Sequence, residues 1–233
     1  MITNALQAWV LHKRWTGDTS AQVVFFTREQ GILSCTCKGG RTPKKQSLLQ
    51  AFTPLWIAVD GRRDWHYLRQ VEIISPSLQF TGSGLFSALY INELLHHALR
   101  PNDTNRLLYD VYGRTLQTLT LLTDRLLIEA TLRRFEWVLL TACGYQMSLT
   151  HDVHEMPIVA SSQYTLIPGN GFSLVDKGIL GAHILAFADD KLNDVEVLKA
   201  VKWIMRRAID HALDGKPIKA RELYGKQGES TCA

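Results

Sequence analysis

Between Gln7 and Ile74, apolar residues recur at every second position in short runs rich in Val, Ile, Phe, Trp and Tyr, and turn residues separate the runs. This is the pattern of half-buried strands. It predicts five of them: Gln7–Arg14, Ser20–Thr27, Gly31–Lys38, Thr53–Asp60 and Trp65–Ile74. Between the third and fourth, Gln46–Phe52 has helical character and follows Gly39-Gly40 and Pro43. Five strands with a helix between the third and fourth is the pattern of an OB-type Greek-key barrel. Any small half-open β-barrel would also satisfy it.

After Gly82-Ser83-Gly84 the period changes from two to about 3.6. Leu85, Leu89, Asn92 and His96 fall on one helical stripe, widened by Leu94, Leu95 and Leu99, and Pro101 ends the helix. Asp103 or Thr104 is the expected cap of a second helix reaching Leu122, and a third runs from Asp124 to Cys143, closed by Gly144. Residues 145–190 carry Pro157, Pro168, Gly169, Gly171, Gly178 and Gly181 and read as an irregular insert. A last helix runs from Asn193 or Asp194 to Leu213, stopped by Gly215 and Pro217. The expected fold class is α+β: a five-stranded OB-type barrel over residues 1–80, then a mainly helical domain over 81–233.

Composition narrows the class. With 46% hydrophobic and 21% charged residues over 233 positions, the chain is that of an ordinary globular protein. Its apolar runs fall well short of the ~18 residues of a membrane span. Met1–Val10 lacks the basic and apolar regions of a secretory leader, so a cytoplasmic, nucleoid-associated location is expected. The four cysteines make no disulfide framework and are expected to be reduced. Charge is uneven: residues 1–45 hold seven basic and two acidic side chains, and 81–200 hold nine and thirteen. Residues 201–233 again favour bases, seven to four. Basic ends around an acidic middle suit an anionic partner, and a solubilising surface is the plainer alternative.

The chain lacks the phosphate-loop, dinucleotide, zinc-protease and serine-elbow motifs, which leaves ATP and ester hydrolysis unsupported. Cys35 and Cys37 share one strand face and read as packing. Cys143, His151 and His154 match no zinc spacing and read as loop residues. The informative stretch is Lys38-Gly39-Gly40-Arg41-Thr42-Pro43-Lys44-Lys45. Lys38, Arg41, Lys44 and Lys45, with backbone amides freed by glycine, suit a phosphate backbone in a sequence-independent way. Lys13-Arg14-Trp15 and Arg62-Arg63-Asp64-Trp65 add cations beside an aromatic, the pairing by which OB barrels hold single strands. Each tryptophan taken alone reads as a core residue. Lys216, Lys219 and Arg221 follow the last helix and would supplement the basic face. Arg133 and Arg134 sit on a helix with an apolar face, either as a solvated surface or as guanidinium groups beside a groove for an acidic, apolar-ended peptide.

Matches in order along about 215 residues resemble the bacterial DNA repair protein family RecO. They include Phe26-Thr27-Arg28-Glu29-Gln30-Gly31, Lys38-Gly39-Gly40-Arg41 and Leu49-Gln50-Ala51-Phe52-Thr53-Pro54-Leu55. Leu132-Arg133-Arg134-Phe135-Glu136, Gly144-Tyr145 and Gly215-Lys216-Pro217-Ile218-Lys219-Ala220-Arg221-Glu222-Leu223 continue the series. The resemblance implies a recombination mediator of the RecF pathway without catalysis. Such a protein binds single- and double-stranded DNA, anneals complementary strands, associates with RecR and helps load RecA onto strands coated by single-strand-binding protein (SSB). It further implies that Arg133 or Arg134 holds the carboxylate of the SSB tail, with Trp56 on the apolar floor. Many RecO proteins carry a four-cysteine zinc element after the Gly-Tyr pair. Here residues 146–154 read Gln-Met-Ser-Leu-Thr-His-Asp-Val-His, so neither zinc nor any other cofactor is expected. The rival readings are an RNA-binding OB protein and a metal-dependent nuclease.

Overall fold

The computed structural model describes residues 4–62 and 65–225, with backbone only for Asn4, Arg62, Trp65, Tyr224 and Gly225. Its first part is a closed barrel in the strand order β1-β2-β3-β5-β4. The strands are β1 (Asn4–Thr16), β2 (Ser20–Thr27), β3 (Gly31–Cys37), β4 (Leu55–Arg62) and β5 (Trp65–Ile73), with α1 (Pro43–Leu48) between β3 and β4. This is the OB-type fold. β1 pairs with β4 along its first half and with β2 along its second, Ala8 meeting both Leu55 and Thr27. A short parallel pairing of Cys35 with His66 and Thr36 with Tyr67 closes the barrel.

Alternation along the strands fills the barrel interior. Leu6, Ala8 and Val10 of β1, Val23 and Phe25 of β2, Leu33, Cys35 and Cys37 of β3, and Leu55 and Ile57 of β4 form one buried cluster, joined by Leu49 just after α1. Burial pushes the Cys35 thiol up to about 12, which keeps it protonated and inert. The helix predicted at 46–52 lies earlier, because Pro43 suits a first helical turn and Phe52 adopts a left-handed backbone with φ of 62°.

Trp9, Leu11, Phe26 and Ile32 lie on the outer face of these strands and are buried too. Two helices account for this, α2 (Gly82–Ala98) and α3 (Arg106–Leu121). Tyr112 of α3 meets the Trp9 ring edge-on at 5.7 Å, and Tyr109 packs on Phe26 at 5.3 Å. The register of β1 shifts between Val10 and His12. Beside that bulge the Leu11 carbonyl accepts from Asn92 Nδ2 at 2.6 Å, and Asn92 Oδ1 accepts from the Tyr112 hydroxyl at 2.8 Å. A buried amide and phenol are thus satisfied. The predicted stripe of α2 is corrected by this network: Leu85 is exposed, and Ala88, Ile91, Leu94 and Leu95 are buried beside Asn92. The cap of α3 is Asn105, whose side chain accepts from the Leu108 amide, rather than Asp103 or Thr104. Gly31 has φ of 67° and lies against the Asp103 carbonyl where a Cβ would collide.

By packing, the chain groups into two compact units. Residues up to Thr81 group with Ala88–Thr120, and Gly82–Ser87 group with the chain from Leu121 onward. The second unit contains α4 (Arg125–Ala142), β6 (Gln163–Ile167), β7 (Gly171–Val175), β8 (Ile179–Leu180), α5 (Gly181–Ala188), α6 (Val195–Ala212) and α7 (Ala220–Gly225). Asp124 and Asp194 cap α4 and α6 through their carboxylates, and Gly144 ends α4 with φ of 80°. The stretch 145–190 is more ordered than an irregular insert, with a three-stranded sheet in the order β7-β6-β8. Tyr164, Leu166 and Phe172 are its buried anchors; strands of two to five residues are too short for alternation to reveal. Among the described residues no helix is long and apolar enough to cross a membrane.

Candidate nucleic-acid interface

The far end of the barrel gathers cations around exposed aromatics. β1 runs to Thr16, and Trp15 at this end is 45% exposed, contrary to its reading as a core residue. Pairing aligns Trp15 with Ala21 and Cys37, so the ring emerges from the interior face of the sheet at the mouth of the barrel. Lys13 Nζ lies 5.3 Å and the Arg41 guanidinium 5.6 Å from the ring centroid. On the outer face, Arg14, Gln22, Thr36 and Tyr67 stand in register across four strands. Tyr67 is 39% exposed with Lys38 Nζ 5.6 Å from its centroid. Cations held at 5–6 Å from a ring gain attraction from its quadrupole while their charge stays outward.

The Lys38–Lys45 loop is held in shape rather than hanging free. Gly39 turns it with φ of 67°, and Gly40 packs so closely on Ala21 that a Cβ would lie 2.7 Å from that side chain. The Arg41 amide donates to the Thr19 carbonyl, Lys45 Nζ donates to the Lys38 carbonyl at 2.6 Å, and Lys13 Nζ donates to the Leu49 carbonyl at 3.1 Å. Arg14 Nε donates to Gln22 Oε1 at 2.7 Å. Lys38, Arg41 and Lys44 are exposed. The structure thus brings together Lys13, Arg14, Lys38, Arg41, Lys44 and Lys45. Arg63 lies outside the described residues, as does the side chain of Arg62. Lys216, Lys219 and Arg221 belong to the second compact unit, and Arg221 pairs there with Asp210.

The second unit has an open groove of about 810 Å³, lined by Arg134, Trp137 and Val138 of α4, residues 146–150, Phe187 and Ala188 of α5, and Asp190. Trp137 and Phe187 meet edge-to-face at 5.3 Å. Arg134 Nε donates to Asp190 Oδ1 at 2.7 Å, both side chains well exposed. Arg133 is different: it is 6% exposed, and its Nη2 holds Glu136 Oε1 at 2.7 Å in the buried side of α4. A helix turns about 100° per residue, so neighbouring arginines end up in opposite surroundings. Trp56 sits on β4 and is absent from the lining of this groove. The aromatic part of its lining is Trp137 and Phe187. Trp137, three residues from Arg134 on the same helix, was within reach of sequence reasoning; Asp190 and Phe187, more than fifty residues away, were not.

The 146–154 loop is organised by Asp152, whose Oδ1 accepts from the His154 and Met156 amides. Those hydrogen bonds hold its carboxyl below the usual range. Among the described residues no three His, Cys, Asp or Glu side chains are grouped to hold a metal ion.

Two family models match the chain, Recombination protein O N terminal over residues 1–77 and Recombination protein O C terminal over residues 79–222. The DNA repair protein RecO of Legionella pneumophila (strain Corby) is 52% identical over 227 residues, 97% of this chain and 99% of that protein. The DNA repair proteins RecO of Proteus mirabilis and Alteromonas mediterranea are 37% and 34% identical, over 97% and 94% of this chain and 94% and 96% of their own lengths. A barrel with a basic, aromatic mouth and matches to both family models lead to one assignment: the chain belongs to the RecO family, with a role in DNA repair and recombination.

Proposed function

We propose that this chain is a recombination mediator of RecF-type repair, acting in the cytoplasm at the nucleoid and without a catalytic step. It binds single- and double-stranded DNA, anneals complementary strands and, with RecR, helps load RecA onto DNA coated by SSB. The observation that carries the reading is the cluster of cations around Trp15 and Tyr67 at the end of the barrel, with Lys38 and Arg41 exposed. Such cations neutralise phosphates and release counterions, which lets two strands of like charge approach. The exposed rings suit unpaired bases, which stack without regard to sequence.

The groove beside α4 supports the second half of the reading. An acidic peptide with an apolar end would set its carboxylate on Arg134 in exchange for Asp190 and its apolar side chain on Trp137 and Phe187. Recruitment to coated strands follows from that exchange. The test is annealing of complementary labelled oligonucleotides coated with SSB, without ATP, by wild type and by Arg134→Ala. Annealing by wild type that drops in the variant only on coated strands is the expected result. Absence of annealing by wild type overturns the proposal.

A further inference from the structure

The exposed face of α6 has a composition the barrel reading does not use. From 199 to 207 its exposed positions are Lys199, Lys202, Trp203, Arg206 and Arg207, all cations apart from one tryptophan. The other positions of this span are buried or partly so, with Val201, Ile204 and Met205 fully inside. The Arg207 guanidinium lies 4.7 Å from the Trp203 ring centroid, and Trp203 is 38% exposed. Lys199 and Lys202 reach back to Glu196 and Glu129. Arg206 and Arg207 make no ion pair among the described residues.

Like charges three and four residues apart weaken a helix, and this row spans about 12 Å of helix axis. A partner with regularly spaced anions relieves that repulsion most at Arg206 and Arg207, which no carboxylate answers among the described residues. We propose that this face of α6 is a second binding surface for single-stranded DNA, in which Lys202, Arg206 and Arg207 contact phosphates and Trp203 stacks an unpaired base. An acidic, apolar-ended peptide fits less well, because the face is a convex helix surface and these five residues do not line the groove. The site rests on the DNA-binding reading above and adds to it a strand contact separate from the barrel loop.

The test compares wild type, Arg206→Ala/Arg207→Ala, Trp203→Ala and the barrel variant Arg41→Ala/Lys44→Ala/Lys45→Ala. Each is titrated against labelled oligothymidylate and a duplex over a salt series, and against an acidic, apolar-ended peptide, with thermal unfolding as the fold control. Losing two phosphate contacts lowers the salt slope on the single strand by about 1.4, which is roughly 25-fold in affinity at about 0.1 M salt. Trp203→Ala should cost roughly fivefold or more on the single strand and little on the duplex. DNA affinity unchanged in both α6 variants, with the barrel variant impaired, overturns the α6 site alone. Loss of an acidic peptide with DNA affinity intact would assign the face to a protein and also overturn it. Wild type that binds neither probe removes this site together with the proposed function.

Discussion

The barrel mouth and the α4 groove each set cations beside aromatics, and they differ in what answers the charge. At the mouth, Lys38 and Arg41 lie over rings, Lys13 and Lys45 donate to backbone carbonyls, and none of the four pairs with a carboxylate among the described residues. In the groove, Arg134 is answered by Asp190 at 2.7 Å. Unanswered charge attracts any polyanion and is weakened by salt. Answered charge requires a ligand to displace an existing partner, so geometry and apolar contact decide what binds. On the proposed function, the same side-chain type would serve a general contact in one unit and a selective one in the other.

The largest effect expected from disturbing this comparison comes from the arginine that belongs to neither surface. Arg133→Met leaves the fully buried Glu136 without that counter-charge and should destabilise the protein by about 3–5 kcal/mol, measured by urea unfolding. A small loss would mean that Arg133 is more open than its burial indicates. At the barrel, Arg41→Ala/Lys44→Ala/Lys45→Ala should lower the salt slope of single-strand binding by about 2. Peptide binding at the groove should be untouched; loss of both ligands together would merge the two sites.

A finer cut falls on the groove. Arg134→Ala should weaken an acidic, apolar-ended peptide by roughly tenfold, and Asp190→Asn should strengthen it, because the competing carboxylate is gone; calorimetric titration reads both. Equal affinity in both variants would mean that the salt bridge plays no part in binding.

The smallest effect concerns His96 on α2, which stacks on His12 at 5.0 Å and lies beside His97. Burial first, then the two neighbouring imidazoles, hold it below the usual histidine range, against the opposing pull of Glu93. The unfolded chain then takes up this proton first, near pH 6.5. Stability present above that pH is lost as pH falls towards the folded value. The urea midpoint should therefore drop between about pH 7.5 and 5.5, and His96→Gln should flatten the drop.

The barrel's strands were legible because each has one buried and one open face, and a period of two records that division residue by residue. Gly39-Gly40 announced a tight loop, and Asp124 and Asp194 announced helix starts, since turns and caps are local chemistry. Burial on both faces is not local. Trp9 and Phe26 are inside because α2 and α3 cover them, and Trp15 is outside because its paired position lies at the barrel mouth, where nothing covers the ring. The two arginines of α4 show the same limit at the site, for nothing in their adjacent letters says which one meets Glu136 and which one meets Asp190. Sequence patterns set the elements, their caps and the basic character of the loop, all from interactions within a few residues. The division of Arg133 from Arg134, the exposure of Trp15 and the cation-rich exposed row of α6 came from packing between elements distant along the chain, where the direction of a side chain depends on what covers it.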